Sequence, residues 1–313
     1  MDVIQVKNLV KKFKNFAAVD NISFNVEEGE LFGLLGPNGA GKTTTIKMLT
    51  TLLPITSGYA SVAGFEVSKH RNDVRQNIGM VFQEPALDKQ LTGKENLDFH
   101  ARMYGLKKEV RRKRLTEVLN LVELTDKQNE LVETYSGGMQ RRLEIARGLM
   151  HSPTVLFLDE PTLGLDAQTR RRIWEYIQQL NKTQKTTVLL TTHYMEEADY
   201  LCHRVGIMDK GKIVAIDTPR NLKNTIGADV VTLELEHKDG NAFRKLPFVK
   251  ELVEHGASIS VSLNNGEHQI PPLMEFAQSR GIKVKSVELH KPSLEDVFLR
   301  YTGTTIRERD NAE

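Results

Sequence analysis

The sequence predicts an α/β fold built on a mainly parallel sheet and followed by a smaller α+β domain, and three patterns carry that expectation. Largely apolar runs at Leu31 to Leu35, Thr154 to Leu158 and Thr187 to Thr191 are too short for helices and read as strands covered on both faces. Helical stretches separate them, and strands that alternate with helices imply parallel pairing. A Gly-rich segment joins the first of these runs to a helix, and beyond residue 220 the chain changes to shorter strand and helix candidates.

Taken in order, Ile4-Gln5-Val6 and Ile22-Ser23-Phe24-Asn25-Val26 alternate like half-buried strands, with Gly29 marking a turn, so a small sheet opens the chain. Thr43 to Leu53 reads as a helix stopped by Pro54. From about Leu87 to Glu133 the chain is rich in Lys, Glu, Arg and Leu without strand-like alternation, which predicts several helices. Within it Val110, Leu115, Val118, Leu119 and Val122 form an apolar stripe, and Arg111-Arg112-Lys113-Arg114 is expected to be its solvated opposite face, with contact to an anionic partner surface as the other reading. Arg170 to Leu180 reads as a helix, and Asp217-Thr218-Pro219-Arg220 as a turn. In the last third, Val230 to Glu236, Ala257 to Leu263 and Ile282 to Leu289 alternate as strands, while Pro272 to Gly281 and Ser293 to Tyr301 suit helices.

Bulk properties narrow the class. A chain of 313 residues with 39% hydrophobic content can hold one large core and a second domain. Its apolar runs fall far short of the ~20 residues of a membrane-spanning helix. Met1-Asp2-Val3-Ile4 leads directly into alternation, so export of this chain is not expected. The lone Cys202 fits a reducing cytoplasm and a small buried apolar role. A formal net charge of +2 excludes a wholly basic nucleic-acid binder, and no direct nucleic-acid contact is expected.

The chemistry lies in three segments. Gly36, Pro37, Asn38, Gly39, Ala40, Gly41, Lys42, Thr43 and Thr44 match G-x-x-x-x-G-K-[ST] between a strand and a helix, the context that phosphate cradling needs. The loop amides converge on phosphate oxygens, Lys42 adds a positive charge, and the Thr43 hydroxyl can hold Mg2+ beside the helix N-terminus. The ligand is therefore a nucleoside triphosphate. The run ending in Leu158-Asp159-Glu160 places two acids at a strand end, Asp159 to organise Mg2+ and Glu160 to polarise a water. Alone, such a strand end before Pro161 could be a solvated turn. Tyr135-Ser136-Gly137-Gly138 precedes a stretch in which Met139, Leu143, Ala146 and Met150 recur at helical spacing, which suits either an ordinary helix entry or a second phosphate-facing helix N-terminus.

With these segments in this order, residues 1 to roughly 220 resemble the nucleotide-binding subunits of ABC proteins. The resemblance implies a P-loop NTPase fold: a mainly parallel sheet, an antiparallel β subdomain and a helical subdomain at about 87–150. Residues 221–303 then form the accessory α+β domain, and 304–313 a polar tail. It implies ATP and Mg2+ as cofactors, with Gln83 as the Q-loop glutamine near Mg2+ or water, Gly164-Leu165-Asp166 as the D-loop and His193 as the switch histidine. Phe13 stands where the family stacks an aromatic on adenine, although an aromatic near a first strand is core as readily. Two such domains meet head to tail in the family, so Ser136, Gly137 and Gly138 of one copy would face the ATP held by Lys42 of the other. Tyr135 and Met139 depart from the common LSGGQ form but leave the Ser and the glycines in place.

Pro292 to Gly303 is similar to a run in the drug-resistance type of these subunits, of which the daunorubicin-resistance ATPases are familiar members, and this tilts the reading from import to export. There Leu294, Val297, Phe298 and Tyr301 make an amphipathic stripe, expected to dock on its own domain, with a purely intersubunit role as the other reading. The implied function is the ATPase of an exporter, peripheral on the cytoplasmic face of the cell membrane and paired with an integral membrane permease subunit and a second copy of itself. The alternative, a soluble ABC ATPase acting on nucleic acid or ribosomes, would be marked by a long coiled-coil insertion or tandem cassettes, and neither is present. A different P-loop enzyme, such as a small GTPase or kinase, would need a base-reading or acceptor-binding element in place of SGG and is a remote reading, since Asn181-Lys182-Thr183-Gln184 does not complete N-K-x-D.

Overall fold

The protein was analysed as a computed structural model that describes residues 1–84, 86–227, 229–236, 240–255 and 258–302. The chain divides into two compact units, Met1–Pro219 and Arg220–Gly303.

In the first unit, β1 (Asp2–Phe13) and β2 (Phe16–Glu27) form a hairpin, and β3 (Leu31–Leu35) runs into the Gly-rich loop and α1 (Lys42–Leu49). β4 (Ser57–Val62) and β5 (Phe65–Glu66) then extend the hairpin into an antiparallel sheet of order β2-β1-β4-β5. After α2 (Arg71–Asn77) and β6 (Ile78–Val81) comes a helical section, α3 (Gly93–Met103), α4 (Lys108–Leu121) and α5 (Gly137–Leu149). The chain returns through β7 (Val155–Asp159), α6 (Ala167–Gln184), β8 (Thr187–Thr192), α7 (Met195–Leu201), β9 (Arg204–Asp209) and β10 (Lys212–Asp217). These complete a six-stranded sheet of order β10-β9-β3-β8-β7-β6, parallel except for the antiparallel edge strand β10.

Helix α1 contacts strands of both sheets, and Ile46, Met48 and Leu49 share one buried cluster with Val6, Leu9, Phe32, Leu34 and Phe157. The strands β3, β7 and β8 are buried at every position, as their unbroken apolar runs predict, and burial of that kind leaves only their C-terminal ends free for polar chemistry.

Several sequence expectations are corrected by the packing. Helix α1 ends at Leu49, not Leu53, because Thr51 turns to a φ of 65° and its hydroxyl accepts from Arg75 Nε at 2.7 Å. In α4, Leu115, Val118 and Leu119 are buried, but Val110 is exposed because the stripe begins one turn later. Only half of the basic run beside it is solvated: Arg111 pairs with Asp98, and Arg114 donates to the carbonyls of Leu149 and Met150 at the end of α5. Pro219 opens a helix, α8 (Pro219–Asn224), instead of sitting in a turn; its missing N–H costs nothing at a first helical position.

In the second unit, β11 (Asp229–Leu235), β12 (Val249–His255), β13 (Ser258–Leu263) and β14 (Val284–His290) form an antiparallel sheet of order β12-β13-β11-β14. α9 (Gly266–Ser279) contributes Leu273 and Ala277 to a core with Val231, Leu233, Phe243, Ile259 and Val261. This helix starts six residues before Pro272, anchored where the Gly266 amide donates to Asp229 Oδ2 at 2.7 Å, a contact across 37 positions of chain. Strand β12 was not read from the sequence, since Lys250, Glu251 and Glu254 mask its alternation. In α10 (Leu294–Thr302) Leu294, Val297 and Phe298 are buried, whereas Tyr301, expected on the same stripe, is exposed. Ala257 and the expected tail 304–313 lie outside the described residues.

Candidate functional site

The loop 36–41 leaves the buried end of β3 and enters α1, so its shape is set by two rigid elements. Gly36 is required there by close approach: a Cβ would lie 2.2 Å from the Met208 carbonyl oxygen on the neighbouring strand β9. Lys42, at the start of α1, is buried, and its amine donates to the Gly36 and Pro37 carbonyls at 2.7 and 2.8 Å and stands 3.5 Å from Glu160 Oε1. The Thr43 hydroxyl donates to Asp159 Oδ1 at 2.9 Å.

Asp159 closes β7 and is buried, and the Thr191 hydroxyl on β8 donates to the same Oδ1 at 2.6 Å. Glu160, the next residue, takes a φ of 47° and points its carboxylate between Lys42 and His193, whose Nδ1 donates to Oε2 at 3.1 Å. Burial acts to raise the Glu160 pKa, but the His193 hydrogen bond and the Lys42 charge outweigh it, so the carboxyl is held below its ordinary value and stays ionised at neutral pH. The bond through Nδ1 leaves Nε2 of His193 as the ring's other polar atom.

Phe13 and Phe16 pair across the β1–β2 hairpin end, 46% and 65% exposed, with Lys11 Nζ 5.0 Å above the Phe13 ring. Phe13 is therefore not a core residue. Both rings, Ala18, residues 38–44, Gln83 and Glu160 line one cavity of about 420 Å³. Gln83, exposed just beyond β6, reaches it from the opposite side of the sequence.

Ser136, Gly137 and Gly138 do not line that cavity. Ser136 caps α5, its Oγ accepting from the Met139 amide at 3.3 Å, and Ser136 and Gly137 are exposed. A Cβ on Gly138 would lie 2.5 Å from Thr169 Cγ2, so α6 packs tightly against this helix start. The departure at Tyr135 has a local reason: its ring is buried and its hydroxyl donates to the Lys127 carbonyl at 2.7 Å, anchoring the segment from behind. Asp166 caps α6 by accepting from the amide and hydroxyl of Thr169 at 2.9 and 2.6 Å, which hold its pKa low. It too stands outside the cavity.

Sequence reading missed Phe16, Thr191 and Arg141. Phe16 lay three residues from an aromatic already chosen, and Thr191 ended a strand already drawn, so both signals were present but had no motif to mark them. Arg141 lay inside a helical run that reads as solvated charge.

The comparisons with known proteins agree with this geometry. A family model described as ABC transporter matches residues 19–163, and one described as ATP-binding protein DrrA1-3-like, C-terminal domain, matches residues 218–302. The linearmycin resistance ATP-binding protein LnrL of Bacillus subtilis is 41% identical, over 98% of this chain and 100% of that protein. The daunorubicin/doxorubicin resistance ATP-binding protein DrrA of Streptomyces peucetius is 37% identical, over 99% and 95%. The Nod factor export ATP-binding protein I of Ralstonia nicotianae is 38% identical, over 98% and 95%. Among solved structures, a dimeric ATP-binding cassette bound to ADP and phosphate in a post-hydrolysis state superimposes with a TM-score of 0.62 at 29% identity, covering 69% of this chain and 98% of that one. A Gly-rich loop that ends in a buried lysine, an acid pair at the adjacent strand end and full-length relatives of this kind lead to one conclusion: the chain belongs to the ABC transporter family, as an ATP-binding subunit that hydrolyses ATP to drive transport.

Proposed function

We propose that this subunit powers export through a separate membrane-spanning protein, working at the cytoplasmic face of the membrane, and that two copies close head to tail over two ATP molecules. Relatives named for drug resistance and for Nod factor export support the direction of transport. Among the described residues no helix is long and apolar enough to cross a membrane, which is consistent with a separate spanning partner. The observation that carries the dimeric reading is the division of the site. Lys42, Glu160 and His193 meet in one cluster, while the Ser136–Gly138 segment, exposed at Ser136 and Gly137, does not line the cavity beside it. A helix N-terminus is suited to phosphate, and here Ser136 and Gly137 leave it exposed, where a second copy can supply one.

In this mechanism the loop amides of 36–44 and the Lys42 ammonium hold the β- and γ-phosphates, and Phe13 with Phe16 offers aromatic surface to the base. Glu160, ionised and oriented by His193, accepts a proton from the attacking water as its oxygen bonds to the γ-phosphorus, while the bond from that phosphorus to the β–γ bridging oxygen breaks and its electron pair leaves with ADP. Gln83, which lines the same cavity, orients that water, and Asp166 keeps the start of α6 in register beside Gly138. Thr43, Asp159 and Gln83 supply a hydroxyl, a carboxylate and an amide oxygen, a hard-oxygen set that suits Mg2+, whose charge would offset that of the phosphates.

The reading is tested by isolating the tagged chain from native membranes. A stoichiometric membrane-spanning protein and ATPase activity stimulated within that complex are expected. Recovery with ribosomes or nucleic acid in place of such a partner would support the non-transport alternative instead.

A further inference from the structure

Arg141 lies in the first turns of α5, five residues after Ser136, and is 6% exposed. Its guanidinium donates to four backbone carbonyls drawn from two separate segments. Nε reaches Pro161 at 2.5 Å, and Nη2 reaches Asp159 at 3.2 Å and Glu160 at 3.0 Å. Nη1 reaches Phe82, the residue before Gln83, at 2.5 Å. The first three acceptors are consecutive peptides of the turn that carries Glu160.

That turn is under strain. A φ of 47° at Glu160 is left-handed backbone, which is unfavourable for a residue with a Cβ and persists only where the surroundings over-determine it. The Glu160 amide is fixed by the carbonyl and hydroxyl oxygens of Thr191, both at 3.1 Å. On the carbonyl side of the same turn, the Glu160 oxygen accepts from buried Arg141 at 3.0 Å and from the Leu163 amide at 3.2 Å. The same helix also grips the segment after Gln83, with Glu144 accepting from the Ala86 amide at 2.6 Å and Arg147 donating to the Ala86 carbonyl at 2.9 Å.

We propose that Arg141 is a positioning residue for hydrolysis: it holds Glu160 in its left-handed turn and ties that turn to the helix that begins at Ser136 and to the segment leading into Gln83. The inference rests on reading Glu160 as the group that activates water. Its consequence is a rigid path within one chain from the surface that meets the other copy's ATP to the chain's own catalytic carboxylate. A displacement of α5 is delivered to Glu160 through one planar fork, which a lysine ammonium does not reproduce.

The test uses the full chain carrying Arg141→Gln or Arg141→Lys, measured beside Glu160→Gln for kcat, KM for ATP and thermal stability. For Arg141→Gln the expected result is a fall in kcat of roughly 10- to 100-fold, the scale of a misplacement near 1 Å, with KM changed less than about twofold. Arg141→Lys should fall between that variant and the wild type, again in kcat and not in KM. A folded Arg141→Gln protein with wild-type kcat beside an inactive Glu160→Gln protein overturns the proposal and leaves the role of Glu160 standing. Wild-type turnover in Glu160→Gln removes the reading beneath it. Should Arg141→Gln fail to fold, Arg141→Lys decides: wild-type kcat overturns the proposal, and a reduced kcat at constant KM supports it.

Discussion

Replacing Glu160 by Gln keeps the side chain's volume but removes the charge that sits between two donors, Lys42 Nζ at 3.5 Å and His193 Nδ1 at 3.1 Å. The amide oxygen can still accept from His193. Its NH2 group then faces the Lys42 ammonium, a contact of two donors. Lys42 does not become an orphaned charge, because it keeps the carbonyls of Gly36 and Pro37 at 2.7 and 2.8 Å. The fold should therefore lose only about 1 kcal/mol, the low end for a buried polar group whose partner retains other bonds. In a domain of this size that is ~2–4 °C of melting temperature. Chemistry should suffer far more: removing a general base costs roughly 10²–10⁴-fold in rate, or about 2.7–5.5 kcal/mol of barrier. ATP binding should survive, since the phosphate loop is untouched, and the variant should accumulate as an ATP-bound dimer. Single-turnover hydrolysis with enzyme in excess, together with size-exclusion chromatography in ATP, measures both. Hydrolysis within about threefold of wild type, in protein shown to be folded, would refute the assignment.

Gly36→Ala puts a methyl 2.2 Å from the Met208 carbonyl oxygen, so the phosphate loop must shift by on the order of 1 Å; a loss of ATP affinity of roughly 100-fold is expected in a nucleotide-binding titration. Ser136→Arg alters an exposed helix start outside the Lys42 cavity, so the monomer should bind ATP with wild-type affinity while hydrolysis is abolished; loss of monomer binding would contradict the head-to-tail arrangement. His100 is pulled down to about 4 by burial first and then by Arg147 and His151, so it stays neutral in the fold but takes up a proton near 6.5 when unfolded. The stability tied to that neutral ring is complete above pH 6.5 and is lost as pH falls from there toward 4. Melting curves across this window should show a shallower decline for His100→Gln than for wild type.

Chemistry that depends on contiguous residues was legible in the sequence. The loop 36–44 must follow a strand and precede a helix to cradle phosphate, and β3 and α1 lie where that logic puts them. The placing of Asp159 and Glu160 at a strand end follows from the same reasoning, since the apolar run Val155 to Leu158 leaves its C-terminal end as the polar one. Fold class was equally open to reading, because the alternation of buried strands and helices is a local pattern. Less was legible where charge disguised packing. Arg111 and Arg114 read as solvated but reach Asp98 and the end of α5, and Val110 read as buried but is exposed. In the second unit, lysine and glutamate on β12 hid a strand that is identified by its pairing with β13.

What the sequence by itself determined is the set of local machines: a phosphate loop, an acid-tipped strand and a capped helix start. Each is specified by backbone preferences and spacing within about ten residues. Only the tertiary structure decided how they act on one another. His193 stands 33 positions from Glu160 in the chain yet donates to its carboxylate, and Arg141 joins segments 20 and 59 positions away through a single guanidinium. Those distances are closed by burial of the sheet and of α5. A side chain's partners across a packed core depend on all the elements between them, and no spacing along the chain records that.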